Sequence, residues 1–288
     1  MKTTKKVSTK SSTGPREKNV SIVVCEYTGN YEQKLLVALA DAGIDVYAAN
    51  PLFVRYFAKS KGVLHKTDKA DAKIIAQFAQ ERRPKPMRQK TDRERALKEF
   101  VTLRRQLVRQ CAQFKNQGEH AIQDETKSIT EGLIKSIKER IKTVENTMET
   151  LIKENSDWKK KKEILESIPG IGPDTIRTLL ADLPELGEGS AEKISALVGL
   201  PPKTQTSGKW KGKQRIQGGR INVRVALHNA AIAATLVTKK DNIFKGMYER
   251  LTKEMHKPHK VALVAVSHKM IKIAHTLLKN GTKWKSEE

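Results

Sequence analysis

The sequence predicts an α/β N-terminal domain, a long helical linker and an all-α C-terminal domain, and three observations lead to this assignment. Two short apolar, β-branched runs at 20–26 and 44–48 flank a helical pattern at 31–42, and this strand–helix–strand order predicts a parallel pair. Residues 91–157 contain almost no helix breakers and repeat apolar residues at helical spacing, which predicts two long paired helices. The apolar stretches after residue 161 again favour helices.

Local signals set the boundaries of these parts. A further helix is expected to open at Asn50 and Pro51, because asparagine caps helices and proline suits the first helical position. Two strands are fewer than a stable sheet needs, so we expect part of this domain to be missing. A basic run with two prolines at 81–86 stops the last helix. The predicted parts are a disordered basic tail (1–19), the α/β domain (20–86), the linker (87–160) and the C-terminal domain (161–288).

The charge of the chain points to a polyanionic partner. The 288 residues include 56 Lys and Arg against 32 Asp and Glu, a formal net charge of +24, which favours nucleic acid. An anionic membrane surface is the rival, but we expect no stretch with the apolar length of a membrane span. The tail has no apolar core of a signal peptide, and Cys25 and Cys111 form neither a disulfide framework nor a zinc spacing. We therefore expect a cytoplasmic protein of a bacterium or archaeon, associated with the nucleoid when bound to DNA.

Three carboxylates form a candidate metal site. Asp68 and Asp71 lie one turn apart on one face of a predicted helix, and Glu26 ends the first predicted strand. A carboxylate at a strand end that faces a pair on a helix is how sheet-based nucleases hold divalent metal, because hard oxygen ligands suit Mg²⁺. The alternative is that the two aspartates only favour the first turn of their helix through its macrodipole.

The segment 164–180 has the pattern of a helix-hairpin-helix. Gly170 and Gly172 in its turn allow backbone N–H groups at the start of the second helix to approach a phosphate. Such a contact positions a protein on nucleic acid without reading a base. A tight turn between two helices without any ligand is the alternative.

The next stretch, 193–240, contains no acidic residue and combines glycines, cations and a tryptophan. This composition is typical of a flexible segment that follows a phosphate backbone, with an aromatic ring that stacks on a base. The candidate nucleic-acid contacts in it are Lys209, Trp210, Lys211, Lys213, Arg215 and Arg220.

These motifs together resemble a known family. The segments 26–31 (EYTGNY), 49–51 (ANP) and 66–72 (KTDKADA) look like the E-x-T-G-x-Y, V-N-P and K-T-D-x-x-D-A signatures of the DEDD transposases of insertion sequence 110 type, relatives of the Piv DNA invertases. The helix-hairpin-helix pattern, followed by Ser207-Gly208 and by 218–220 (GGR), is similar to the C-terminal transposase domain of that family. The resemblance covers the chain from about Val20 to its end.

The resemblance implies a partial RuvC-like (RNase H-like) N-terminal domain, a coiled-coil linker and a C-terminal domain that supplies a nucleophilic serine. Members bind Mg²⁺ through four acids, assemble as dimers or tetramers, and recombine DNA under the direction of a structured guide RNA, the bridge RNA. In this chain, Glu26, Asp68 and Asp71 match the metal-binding acids. Ser207 matches the serine that attacks the scissile phosphodiester and forms a covalent protein–DNA intermediate.

The sequence departs from the family at its start. The first acid of the family lies on an opening strand of the G-I-D-x-x-K kind, and no such strand precedes Glu26. The one acidic residue before it is Glu17, in the basic tail, which is a poor substitute. We therefore expect an N-terminally truncated member with weakened binding of a metal pair and doubtful catalytic competence.

Three functions stay open at this point. The first is a metal-dependent transposase or recombinase that uses a serine nucleophile. The second is an inactive truncated remnant that only binds nucleic acid, whose binding is sensitive to salt but indifferent to Mg²⁺. The third is a junction-specific nuclease without a covalent intermediate.

Overall fold

The computed structural model describes residues 20–29, 31–63, 67–203, 206–207, 210–212 and 214–285. The chain forms two compact units that divide between Lys90 and Thr91. The tail that the sequence predicts to be disordered, 1–19, lies outside the described residues. The helical segment predicted as a linker belongs almost entirely to the second unit.

The first unit alternates strands and helices. Its elements in chain order are β1 (Val23–Glu26), α1 (Gln33–Asp41), β2 (Val46–Ala49), α2 (Pro51–Ser60) and α3 (Asp68–Arg82). Strands β1 and β2 pair in parallel, with Val23 opposite Val46 and Glu26 opposite Ala49. The predicted parallel pair with a helical crossover is thus confirmed.

The two faces of this small sheet are covered by different helices. Val23 and Cys25 pack on one face against Leu36 and Ala40 of α1. Val24 packs on the other face with the buried residues of α2 and α3. Because successive side chains of a strand alternate between faces, Glu26 shares the face of Val24. The carboxylate at the end of β1 therefore lies on the side of the sheet that α2 and α3 cover.

The helices of this unit start where the sequence signals place them. The Asn50 side chain accepts a hydrogen bond of 2.9 Å from the Leu52 N–H, and Pro51 is the first residue of α2. The Thr67 hydroxyl accepts one of 3.2 Å from the Ala70 N–H at the start of α3. These caps satisfy N–H groups that have no partner inside the helix.

The second unit begins with two long helices, α4 (Asp92–Glu119) and α5 (Asp124–Glu154), which form an antiparallel hairpin. A capping box between Thr91 and Glu94 opens α4. The base of the hairpin belongs to the main core, because Leu97, Met148 and Ile152 are buried in the same cluster as the C-terminal helices. The tip is solvent-exposed: Ile122 there is 90% exposed.

Six further helices and a short β-hairpin complete the second unit as far as it is described. Helices α9 and α10 each continue into a π-helical turn, at Ala233–Val237 and Arg250–Glu254. The remaining elements are α6 (Ser156–Glu166), α7 (Pro173–Asp182), α8 (Ala191–Val198), β3 (Thr206–Ser207), β4 (Trp210–Lys211), α9 (Ile221–Ile232), α10 (Ile243–Glu249) and α11 (His259–Asn280).

Helix α11 overturns one expectation from the sequence. By length and composition it is able to cross a membrane, with a mean hydropathy of 1.4 over its most apolar window. In this fold it is the central core helix instead: Ala262, Val266, Met270 and Ala274 are each 0% exposed, and α11 packs against α9 and α8. Its apolar character is explained by burial on several sides.

Ion pairs join the base of the long hairpin to α7, and one of their carboxylates is buried. Asp182, the last residue of α7, has a side chain that is only 3% exposed and pairs with both Lys98 and Arg105 of α4. Arg104 bridges Glu145 of α5 and Asp174 of α7, with both distances at 2.6 Å. The hairpin and the first C-terminal helices are therefore fixed to each other by charge as well as by apolar packing.

Candidate active site

The acidic residues predicted to bind metal lie on adjacent elements of the first unit. Glu26 is the last residue of β1, and Asp68 is the first residue of α3. Asp71 is half-buried and lies one helical turn before Ile74, whose buried side chain belongs to the cluster that contains Val24. Asp71 thus continues the stripe of α3 that packs on the sheet face of Glu26.

These carboxylates are not gathered into a coordination sphere. Within the described residues, no group of three His, Cys, Asp or Glu side chains is arranged to hold a metal ion. The donor chemistry nevertheless fits a hard divalent cation, because all three side chains offer carboxylate oxygens. The assignment of Glu26, Asp68 and Asp71 as metal ligands, and of Mg²⁺ as their metal, stays a prediction.

A residue that the sequence did not single out fixes the turn after Glu26. The Glu32 carboxylate accepts hydrogen bonds from the Thr28 N–H at 3.1 Å and from the Thr28 hydroxyl at 2.8 Å. The Gln33 side-chain amide donates to its other oxygen at 3.1 Å. Burial by itself raises the pKa of Glu32, but its own backbone N–H and these donors together lower the pKa to about 2. In the sequence, the spacing of four residues between Thr28 and Glu32 is the signal from which this contact could have been predicted.

Glu32 is therefore expected to make the first unit sensitive to acid. The pKa of Glu32 in the folded state is about 2, below its ordinary value of 4.5. The stability that the Glu32 carboxylate contributes is therefore complete above pH 4.5 and is lost as the pH falls towards about 2. Glu32→Gln is expected to destabilise the unit by about 1–3 kcal/mol at pH 7, through loss of charge-assisted hydrogen bonds. The difference in stability between Glu32→Gln and the wild type is expected to shrink as the pH falls from 4.5 towards about 2.

The measurement is hydrogen exchange of the amides of β1 and β2 between pH 7 and pH 2.5, corrected for the intrinsic pH dependence of exchange. Glu81→Gln is the matched control, because Glu81 forms a surface pair with Lys61 and its side chain is 50% exposed. An equal effect of both substitutions, or a Glu32→Gln effect that is independent of pH, contradicts the role assigned to Glu32.

The two glycines of the predicted helix-hairpin-helix lie in different surroundings. Gly170 has a φ of +84°, and a Cβ at this position would lie 2.4 Å from the Ala230 carbonyl oxygen and 2.6 Å from the Ala234 Cβ. The turn therefore packs directly on α9 at Gly170. Gly172, the N-cap of α7, has open space around the position of a Cβ. Close approach of a phosphate stays a prediction for both, and the structure gives Gly170 a separate packing role.

Ser207 lies on a strand, whereas the sequence predicts a flexible loop. Strands β3 and β4 pair antiparallel, with Thr206 opposite Lys211 and Ser207 opposite Trp210. An isolated bridge between Lys203 and Arg215 extends the same hairpin towards its base. The candidate contacts Lys209 and Lys213 lie outside the described residues, as do the side chains of Ser207, Trp210 and Lys211. Their roles therefore stay predictions.

Arg220 already has a protein partner. Its two terminal nitrogens donate to the two carboxylate oxygens of Glu185 at 2.5 and 2.6 Å, and one of them also donates to the Asp182 carbonyl at 3.0 Å. Arg215, by contrast, is exposed. The prediction that both contact nucleic acid stays untested, but any phosphate that binds Arg220 has to compete with Glu185.

The chain is similar to known transposases and gene-inverting proteins. A profile of DEDD transposases, described as "Transposase", matches residues 4–125, and a second, described as "Transposase IS116/IS110/IS902 family", matches residues 162–249. The chain is 27% identical over 265 residues to the pilin gene-inverting protein of Moraxella bovis, which covers 90% of this chain and 80% of that protein. The pilin gene-inverting protein of Moraxella lacunata matches with the same identity and coverage.

Proposed function

Because the chain belongs to the family of transposases of insertion sequence 110 type, we propose that it cuts and rejoins DNA strands through a covalent intermediate on Ser207. Transposition is the activity that names this family, and inversion of the pilin gene is the activity that names the two Moraxella relatives. The nucleophile, the metal and the guide RNA are the parts of the proposal that go beyond family membership.

One observation supports the metal-dependent part of the proposal. Glu26 lies on the sheet face that α3 covers, and Asp71 continues the stripe of α3 that packs on that face. The carboxylates of Glu26 and Asp71, with Asp68 one turn earlier on α3, would offer oxygen ligands to a divalent cation beside a bound polyanion, in a chain with a net charge of +24. When bound there, the cation would activate a nucleophile and neutralise charge on the phosphate.

The proposed reaction is an exchange of phosphodiester bonds. The Ser207 hydroxyl oxygen attacks the phosphorus of the scissile bond, a bond from serine oxygen to phosphorus forms, and the bond to the leaving DNA oxygen breaks. The serine proton is lost to a base, and the leaving oxygen takes up a proton to become a hydroxyl. A DNA hydroxyl from the other strand then attacks the phosphoserine, which rejoins DNA and restores the serine.

The partners follow from the same proposal. DNA is the substrate, and a structured guide RNA, the bridge RNA, directs the choice of sites. The strongly basic surface supports binding of both polyanions. We further propose that the active form is a homo-oligomer, a dimer or a tetramer, that works in the cytoplasm and is associated with the nucleoid when bound to DNA.

The decisive experiment traps the covalent intermediate. The full chain is incubated, with Mg²⁺, with a plasmid that carries its gene and natural flanking DNA and with RNA transcribed from that locus, and the products are separated under denaturing conditions. A protein–DNA adduct is expected with the wild type and with Ser128→Ala, an exposed serine on α5, but not with Ser207→Ala. Cleavage without an adduct would indicate a nuclease, and salt-sensitive binding without cleavage would indicate a remnant that only binds nucleic acid.

A further inference from the structure

The hairpin that carries Ser207 is closed at its base by glycines in direct contact. Gly199 caps α8 with a φ of +77°, and a Cβ on it would lie 2.3 Å from the Gly218 carbonyl oxygen. A Cβ on Gly219 would lie 2.4 Å from the Gly199 backbone nitrogen. The chain after the hairpin therefore returns against the end of α8 with no room for a side chain at Gly199 or Gly219.

Arg224 of α9 joins the same backbone segments. Its Nη1 donates to the Gly218 carbonyl at 2.6 Å, and it also lies 3.1 Å from the Val198 carbonyl and 3.4 Å from the Gly199 carbonyl. One guanidinium thus contacts the last residue of α8, its cap and the chain that leaves the hairpin.

Arg220 anchors the chain where it leaves the hairpin and enters α9. Its backbone N–H donates to the Leu197 carbonyl at 2.8 Å, and its side chain forms the bidentate pair with Glu185. Glu185 follows Asp182, the buried aspartate paired with α4, so Arg220 connects the hairpin to a rigid part of the core. The pair is partly exposed, with side chains 34% and 41% accessible.

We propose that Arg220 and Arg224 are positioning residues that fix the β3–β4 hairpin, and with it Ser207, at the end of α8. The inference rests on the proposed function in one respect, the nucleophilic role of Ser207. The physical reason is that an isolated two-stranded hairpin is marginally stable in water, so the placement of this one depends on its anchors. A displacement of about 1 Å at a nucleophile is enough to slow a reaction about a hundredfold.

The anchoring is tested without DNA, by hydrogen exchange of the full chain followed by mass spectrometry. In Arg224→Gln and Arg220→Gln, amides of peptides that cover 200–219 are expected to exchange about tenfold faster, while α9 and α11 keep their protection. Arg220→Lys keeps a single bond to Glu185 and is expected to recover part of the protection. Arg140→Gln, an exposed arginine on α5, removes the same charge and is expected to change nothing in this segment. Unchanged exchange in 200–219 would overturn the proposal.

Positioning is tested by the rate of adduct formation on the plasmid described above. Both glutamine variants are expected to form the adduct at least about tenfold more slowly, and Arg224→Gln is expected to keep the affinity of the wild type for the plasmid. Loss of affinity in proportion to the loss of rate would show that the arginines bind DNA and would overturn the positioning role. If Ser207→Ala still forms the adduct, the proposed nucleophile is wrong, and the exchange data alone decide whether the two arginines anchor the hairpin.

Discussion

Replacing Asp71 by asparagine is expected to lower the rate of DNA cleavage about a thousandfold, which corresponds to ~4 kcal/mol in the barrier. The amide cannot supply the negative charge that a carboxylate gives a divalent cation, so the activation of the nucleophile and the neutralisation of the phosphate are both lost. Glu26→Gln is expected to act in the same direction, because Glu26 shares the sheet face of Val24, which α3 covers.

The measurement is the single-turnover rate of cleavage of the same plasmid as a function of Mg²⁺ concentration. Asp124→Asn is the matched control, since Asp124 starts α5 in the second unit with a side chain that is 97% exposed. A rate for Asp71→Asn equal to that of the control, at any Mg²⁺ concentration, would remove Asp71 from the mechanism. An unchanged affinity for DNA in Asp71→Asn is also expected, because removal of an acid does not weaken a contact with phosphate.

The parts of the fold that the sequence predicted correctly depend on signals between near neighbours. Val23, Val24 and Cys25 predict a strand because a run of apolar residues needs cover on both faces, and in the structure they are partly buried and pack against helices on both. Asn50 and Pro51 predict the start of α2 because the Asn50 side chain caps the helix by accepting from the N–H of Leu52, only two residues further on. Each of these signals comes from residues that are close together in the sequence, so it can be recognised without knowledge of the rest of the fold.

The parts that the sequence did not predict depend on partners far along the chain. Gly170 contacts Ala230, and Arg220 contacts Glu185, and no local pattern indicates either pair. The apolar stripe of α4 and α5 was predicted, but its packing into the C-terminal core was not, because an amphipathic pattern does not identify the surface that covers it.

The hairpin around Ser207 shows a second reason for failure. Strands β3 and β4 are two residues long, too short for the alternation that identifies a strand. Glycines and cations surround them, and this composition is typical of a flexible loop. The contacts of Gly199, Gly219 and Arg224 at the base of the hairpin join residues of α8, of the chain after the hairpin and of α9, and they are visible only in three dimensions.

Replacing Gly170 by alanine is expected to destabilise the second unit by about 2–5 kcal/mol, since a positive φ costs a non-glycine residue about 1–2 kcal/mol and overpacking adds about 1–3 kcal/mol. The new methyl group would meet the Ala230 carbonyl and the Ala234 Cβ, which belong to the core helix α9 and its π-helical extension. Gly172→Ala is the internal control: this position has a φ of −95° and open space around it, so its effect on stability is expected to be small.

Urea denaturation of the full chain, followed by fluorescence of the buried Trp158, measures both effects. Equal stability of the two variants would contradict the packing role of Gly170 and return both glycines to the interpretation made from the sequence. Because Gly170→Ala is expected to be less stable than Gly172→Ala, DNA-binding experiments on the two variants have different meanings. A loss of binding in Gly170→Ala reports a disturbed fold, whereas a loss in Gly172→Ala, at preserved stability, is the result that would support a phosphate at the start of α7.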